Sequence, residues 1–353
     1  MKSTVILSLM LGGLGAIAAF GQTPPAGKTT GPGVQAPRDS KEPEVLKTCK
    51  VPPPVPGGGG PPRAPAPATE ASTPKEVTAI AGVVAAGQQW KEVWEVDGNN
   101  ADGIVATKDG GILLAQNDNS NIIKLDKDGK TSIAYTGLNT SGALAINSKG
   151  AMFVNNRGLR ASIEQLEPKR KTLANSYNGD SFDCIGGVLN DLTADSKGGV
   201  YFTMGTVFHA DSQGKVAKYG ENLFTNGIIL SPDEKHLFVT NRLSLAEFDV
   251  QKDGSLTNQR EFVKLEGGGF GGDGSTFDSE GRLYVTTNGS AINVVSTDGK
   301  ILGIIPTPRD VISVAFSGPD RKTLYAVSRD GAKNKDWIIT LQMIAQGPKG
   351  RGK

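Results

Sequence analysis

Two histidines and two cysteines are all that 353 residues contain, aromatic side chains make up only 6%, and charge of one sign is missing, with 38 Lys and Arg against 36 Asp and Glu. Each shortage excludes something. So few imidazoles and thiols leave little material for a dedicated zinc cage. His236, in LSPDEKHLFVTN, is placed at the surface where an outer hairpin run begins, and His209, in VFHADSQG, in a third strand with a structural role. A net charge of +2 gives neither a nucleic-acid footprint nor a funnel for acidic substrates. No serine nucleophile elbow, Walker loop or zinc-protease motif occurs. The run Gly267-Gly-Gly-Phe-Gly-Gly has the glycines of a phosphate loop without the strand-to-helix context, and is read as a lid or a long turn before Asp273.

What is abundant is glycine, at 47 residues, which favours a turn-rich β protein. The length would suit two average domains, but all-β rings use 250 residues or more as one. Lys2, the apolar residues 5–20, and Ala19 and Gly21 before Gln22 have the order of a secretory signal peptide over residues 1–21. No later stretch is long and apolar enough to cross a bilayer. The mature chain is therefore expected to be exported, periplasmic or extracellular, and off the membrane. Residues 22–75 form a Pro/Gly/Ala linker that cannot build a core, residues 76–346 the folded domain, and residues 347–353 a basic flexible tail.

One phrase, a β-rich run, a turn and a second β-rich run, recurs six times. It begins at Ile104, Leu144, Leu192, Ile228, Ser275 and Val314. The second runs start at Ile112, Met152, Val200, Leu237, Leu283 and Leu324, separated by 40, 48, 37, 46 and 41 residues. A second phrase lies between the copies, as in IIKLDKDGK from Ile122 and INVVSTDGK from Ile292. Each unit thus holds two hairpins, with turns that supply positive φ. The fold class predicted is all-β, a six-bladed β-propeller with four antiparallel strands per blade, closed by a strand from residues 88–96.

The residues just before each first strand share one central mouth. They are Asp102, Ser141, Asn190, Asn226, Asp273 and Ile312. Asp102, Asn190, Asn226 and Asp273 end in oxygen, and four such donors suit a hard cation, Ca²⁺ foremost, with Mn²⁺ or Zn²⁺ as the other candidates. Asx-Gly is also an ordinary turn signature, so the constellation carries the expectation rather than any single residue. Loops on the same face bring Gln116, Asn117, Asn119, Asn155, Asn156, Arg157, Asn241, Arg242 and Asn288, a polar lining suited to a hydroxylated or ester-bearing small ligand.

The phrases LNDLTADSKGGVYFT, TNGIILSPDEKHLFVTN, GGDGSTFDSEGRLYVT and ILGIIPTPRDVISVAFSGPDRKTLYAVS resemble the gluconolactonase and regucalcin (senescence marker protein) family, across about residues 95–330. At the superfamily level the resemblance extends to paraoxonase-like and strictosidine-synthase-like proteins. It implies metal-dependent hydrolysis of a lactone. It also implies that Asp102, Asn226 and Asp273 stand at the metal-ligand positions, with Asn190 beside the metal and in contact with substrate. Two positions depart from the family pattern. Asp102 replaces a Glu and is followed by Gly-Ile rather than Gly-Pro, and Val188 stands where an Arg can precede the Asn by two residues.

The expected activity is hydrolysis of a sugar lactone or related cyclic ester by a monomer. Asp273 is expected to be the general base, Asn190 to be catalytic and substrate-binding, and Asn155, Asn156 and Arg157 to contact substrate. The alternative is a non-catalytic binding or scaffold module with a structural axial ion, since fold alone does not fix function. An esterase or a strictosidine-synthase-type enzyme is a further alternative. Cys49 and Cys184 are a candidate disulfide that would tether the linker across the rim of the mouth.

Overall fold

The computed structural model describes residues 29–31, 34–35, 40–51, 76–269 and 271–350. The signal-peptide segment and most of the linker lie outside the described residues. The folded part is all-β, with only two helices of four and five residues among those described. No described helix is long and apolar enough to cross a membrane.

The chain is laid down as consecutive antiparallel meanders. Four are separate four-stranded sheets, starting with the strands Ile104–Ala106, Ser141–Ile146, Leu192–Ala194 and Thr225–Leu230. Seven further strands form one continuous sheet that starts at Ser275–Phe277 and ends with Lys91–Asp97, and two small hairpins, Thr29–Gly31 with Val34–Gln35 and Ser176–Tyr177 with Asp180–Ser181, stand apart. Six separate blades were expected. The difference arises at Ile301–Ser317, a 17-residue strand that pairs by its first part with Gly289–Val295 and by its second part with Thr323–Asp330.

In the four-stranded sheets the inner strands are buried and the outermost is the more exposed: all five residues of the second strand, Ile112–Gln116, are buried, whereas four of five in the fourth, Thr131–Tyr135, are exposed. That gradient belongs to sheets set radially with their first strands inward. The first strands touch one another in sequence order and the last returns to the first, Ile301–Ser317 lying against Ile104–Ala106. Between neighbouring sheets the inward-facing alternates interlock, as where Phe153, Phe182, Phe202 and Phe208 share one cluster. Each such burial contributes roughly 1.5–3 kcal/mol.

The repeated turns follow from one local rule. Asp126, Asn147, Asp195, Asp211 and Asp278 each accept, through one side-chain oxygen, the backbone N–H groups two and four residues later. The Asx side chain thereby closes the turn, and a glycine at positive φ completes it, as at Gly129 and Gly150.

Two N-terminal segments are fastened to this framework. Val77, Ile80, Val83 and Val84 enter a core with Ile305, Phe316 and Trp337, and Lys91–Asp97 pairs antiparallel with Lys335–Gln342. Residues 40–51, expected to belong to a linker without structure, contain the helix Glu42–Leu46 and are held by a Cys49–Cys184 disulfide. Lys50 adds two bonds, its N–H to Asp180 Oδ1 at 2.9 Å and its Nζ to the Asn178 carbonyl at 2.6 Å.

Candidate functional site

The first strands bring their leading residues to one place by the same hydrogen bonds. The amides of Asp102, Asn190 and Asp273 donate to the carbonyls of Ala115, Thr203 and Thr286, at 3.1, 2.9 and 3.0 Å. Asn226 uses Thr240 Oγ1 instead, at 3.2 Å. The glycines that follow Asp102, Asn226 and Asp273 are not turn glycines. Gly103, Gly227 and Gly274 lack positive φ, and a Cβ there would strike a neighbouring sheet, at Gly227 only 2.0 Å from the Asp273 carbonyl oxygen. Asp-Gly and Asn-Gly here mark a close approach of backbones around the axis.

At that point lies a cavity of about 10 Å³ lined by Asp102, Arg157, Asn190, Asp191, Asp273 and backbone of the first, second, fifth and sixth repeats. It has room for one ion or water. Burial first, then repulsion from Asp102 and Asp191, pushes the Asp273 carboxyl up to about 7, against a smaller opposing pull from Arg157 and an Asn288 hydrogen bond. Asp191 is committed to backbone, accepting from the Leu192 and Ile228 amides at 2.8 and 2.9 Å. The Oδ1 of Asn226 is buried without a hydrogen-bond partner, a state that normally costs a buried polar atom about 1–3 kcal/mol. Clustered carboxylates and an orphaned amide oxygen fit a hard cation. The chemistry of the donor set, all oxygen, points the same way.

The structure thus brings Asp102, Asn190 and Asp273 together with Arg157 and puts Asn226 on the adjoining strand. It gives Asn155 and Asn156 other employment. Asn155 is fully buried; its Oδ1 accepts from the Gly142 and Ala143 amides at 3.0 and 2.7 Å, and its Nδ2 donates to the Asn190 carbonyl at 2.6 Å. Asn156 Oδ1 accepts from the Asn139 amide at 3.0 Å and its Nδ2 donates to Ser162 Oγ. Asn155 thus fastens the second sheet to the third, and Asn156 ties strands within the second sheet. The glycine run before Asp273 is a tied turn rather than a lid: the Gly271 and Gly272 amides donate to Thr287 and Arg242, and Gly267, Gly268, Gly269 and Gly271 take positive φ.

Asn117, expected only as part of the polar lining, holds Asp102, and Arg329 and Asp336 were not foreseen from the sequence. Asn117 Nδ2 donates to Asp102 Oδ2 at 2.8 Å. Arg329, from the far end of the chain, pairs with Asp336 at 2.7 Å, bonds Asn99 Oδ1 and donates to the Ala101 carbonyl at 3.0 Å. Asp336 accepts in turn from the Asn100 and Ala101 amides at 3.1 and 2.9 Å. Burial opposes the Arg329 charge, but Asp336, Asp102 and Asp273 outweigh it and raise its pKa. The segment leading into Asp102 is thereby clamped.

Two other places lie apart from the axial mouth. A larger cavity of about 300 Å³ is lined by the C-terminal ends of the first strands, including Ile229, Leu230, Phe277 and Phe316, and by Pro348 and Lys349. It lies at the opposite end of those strands and shares no lining residue with the axial cavity. His236, Glu247 and Asp249 cluster on an outer face. There Arg260 donates to both carboxylates at 2.8 Å and takes the place a cation would need. His209 is structural as expected, buried against Asp195 and stacked on Tyr201.

Residues 131–330 match the family described as SMP-30/Gluconolactonase/LRE-like region. The chain belongs to that family. Among curated relatives, lactonase drp35 of Staphylococcus epidermidis is 32% identical over 212 residues, covering 54% of this chain and 57% of that protein. The chain spans about half the length of the curated relatives it matches. Among solved structures, a gluconolactonase from Xanthomonas campestris is similar with a TM-score of 0.64 and 17% identity, covering 77% of this chain and 95% of that one. A calcium-binding regucalcin from Agrobacterium tumefaciens has a TM-score of 0.58 and 18% identity, covering 73% and 94%. At these identities the likeness in structure speaks for the fold.

Proposed function

We propose that this protein is an exported, metal-dependent lactone hydrolase working at the axial mouth of a six-bladed propeller, whose seven-stranded sheet is two blades sharing residues 301–317. The observation that carries the reading is the one-ion cavity bounded by Asp102, Asn190 and Asp273, and the buried, unpartnered Oδ1 of Asn226 on the adjoining first strand supports it. Family membership supports the lactone class, and a disulfide among the described residues suits an oxidising compartment outside the cytoplasm.

Asp102, Asn190, Asn226 and Asp273 are the residues that would hold the ion, Ca²⁺ foremost. A bound divalent ion supplies Lewis-acid polarisation of an ester carbonyl. Asp273 is the cavity carboxylate that burial and its acidic neighbours push up to about 7, and it takes the proton from the attacking water. The water oxygen forms the new bond to the carbonyl carbon, the ring C–O bond breaks, and the proton passes to the leaving alkoxide. Asn190, its side-chain oxygen held by Arg157 at 3.0 Å, offers its amide N–H groups to substrate.

The test is hydrolysis of sugar lactones, aliphatic lactones and aryl esters by metal-stripped protein resupplied with Ca²⁺, Mn²⁺ or Zn²⁺. Metal-restored turnover of a lactone is expected, together with its loss in a folded Asp273→Asn variant. The small size of the cavity favours one competing reading, a binding module pinned by a structural ion. Tight metal binding with no turnover on any substrate selects that reading.

A further inference from the structure

Arg157 reaches the axis from the end of the strand Met152–Asn156 by lying across Gly142, where a Cβ would come within 1.9 Å of its Nε. Its Nη1 donates to Asp102 Oδ2 at 2.5 Å and to Asn117 Oδ1 at 3.2 Å. Its Nη2 donates to the Asn190 carbonyl at 2.5 Å and to Asn190 Oδ1 at 3.0 Å. The Arg157 and Asp102 side chains are only 11% and 17% exposed, so salt screens the pair little.

Two of the four candidate ligands are therefore already in the service of a fixed positive charge. The other two are placed differently, Asp273 feeling the same guanidinium through its charge. Asn226 Oδ1 has no hydrogen-bond partner, and Asn288, whose Nδ2 donates to the Gly271 carbonyl at 3.3 Å, counters the burial that raises the Asp273 carboxyl. The ring is divided into a guanidinium half, from the first three repeats, and an open half, from the fourth and fifth. The axial cavity, lined by Arg157, Asp102, Asn190 and Asp273, has room for one ion beside the guanidinium.

We propose that Arg157 is a resident cation that claims Asp102 and Asn190, so that Asn226 and Asp273 hold the divalent ion and its affinity is set by competition with the guanidinium. The inference rests on the proposed axial ion and changes which residues serve it. A dication and a guanidinium around one small, poorly screened cavity repel strongly, and removing the guanidinium charge is worth on the order of tenfold or more in affinity. It also returns Asp102 to the ion.

The experiment titrates metal-stripped full-length protein with Mn²⁺, read from the electron paramagnetic resonance signal of free Mn²⁺, with Ca²⁺ as competitor. Thermal melts by circular dichroism establish that each variant is folded. Arg157→Met is expected to tighten Mn²⁺ binding about tenfold or more, whereas Arg157→Lys, which keeps the charge and loses the fork, stays near the parent. Asp102→Asn is expected to cost the parent less than about threefold, but about tenfold or more in the Arg157→Met background, a coupling that a merely structural Arg157 would not produce. Weaker binding in Arg157→Met, or a loss in Asp102→Asn of the parent as large as in Asp273→Asn, overturns the inference while leaving the axial ion in place. Absence of binding in both the parent and Arg157→Met overturns the ion together with the inference.

Discussion

Gly142 and Gly227 show how the site depends on side chains that are missing. A methyl group at 142 would lie where the Arg157 guanidinium passes, and one at 227 would lie 2.0 Å from the Asp273 carbonyl oxygen. Neither glycine has positive φ, so the requirement is for space and not for conformation. Gly150 is the converse case, with φ +86° and nothing within 4 Å of an added Cβ. Gly227→Ala is accordingly expected to lower stability by about 1–3 kcal/mol through overpacking and to weaken metal binding. Gly150→Ala should cost about 1 kcal/mol through backbone strain and leave metal binding unchanged. Urea melts and metal titrations of the two variants check this; equal metal affinities in both would mean that the first strands can spread without disturbing the donors. The four oxygen-bearing residues were legible in the sequence because a repeat aligns equivalent positions without any knowledge of packing. Arg157 was legible as a mouth residue expected to contact substrate but not as the partner of Asp102, because its direction is set by the absence of a Cβ at Gly142 in the neighbouring strand.

The connection from the second to the third sheet is the element where this molecule elaborates its ring. Between Ala174 and Asn190 it inserts the hairpin Ser176–Tyr177 and Asp180–Ser181 and the helix Phe182–Ile185. Phe182 anchors the helix in the core beside Phe202, while Cys184 and the bonds from Lys50 fasten residues 40–51 to its outer side. Asn190 follows this insert directly, so the disulfide restrains the segment that delivers an axial donor. Replacing Cys49 and Cys184 with Ser is expected to destabilise the protein by about 2–4 kcal/mol. Faster amide hydrogen exchange should be confined to residues 40–51 and 176–190. Unchanged exchange at 176–190 would show that Phe182 alone holds the insert. Cysteine count and export made the pairing thinkable from sequence, but the short helix in a Pro/Gly-rich tract carried no periodic signal. The Arg329–Asp336 clamp was hidden for another reason. It acts on residues 99–101 only because strand pairing carries Lys335–Gln342 onto Lys91–Asp97, a long-range register that no local phrase encodes.

At the scale of the whole molecule, the seam between the chain's two ends decides whether the inner strands form a circuit. Lys91–Asp97 covers the edge of Lys335–Gln342, Val77 to Val84 fill a core with Trp337 and Leu341, and the Ile344 and Ala345 amides donate to the Val83 carbonyl. Trp90 adds a bond from its indole N–H to the Pro306 carbonyl at 2.8 Å. Removing these residues would expose an eight-residue strand containing the fully buried Ile338 and Ile339, the kind of apolar edge that recruits other chains. It would also free Asp336 and Arg329 from the segment 99–101 and so loosen Asp102. A chain beginning at residue 76, with Cys184→Ser to remove the unpaired thiol, keeps the whole seam. It is expected to melt in one cooperative transition and to retain metal binding. A chain beginning at residue 98 is expected to aggregate or to melt at a markedly lower temperature, with the axial site lost before the middle sheets unfold. Differential scanning calorimetry with hydrogen exchange distinguishes these outcomes. Equal melting temperatures for the two chains would mean that the circuit of first strands, and not the seam, holds the ring together.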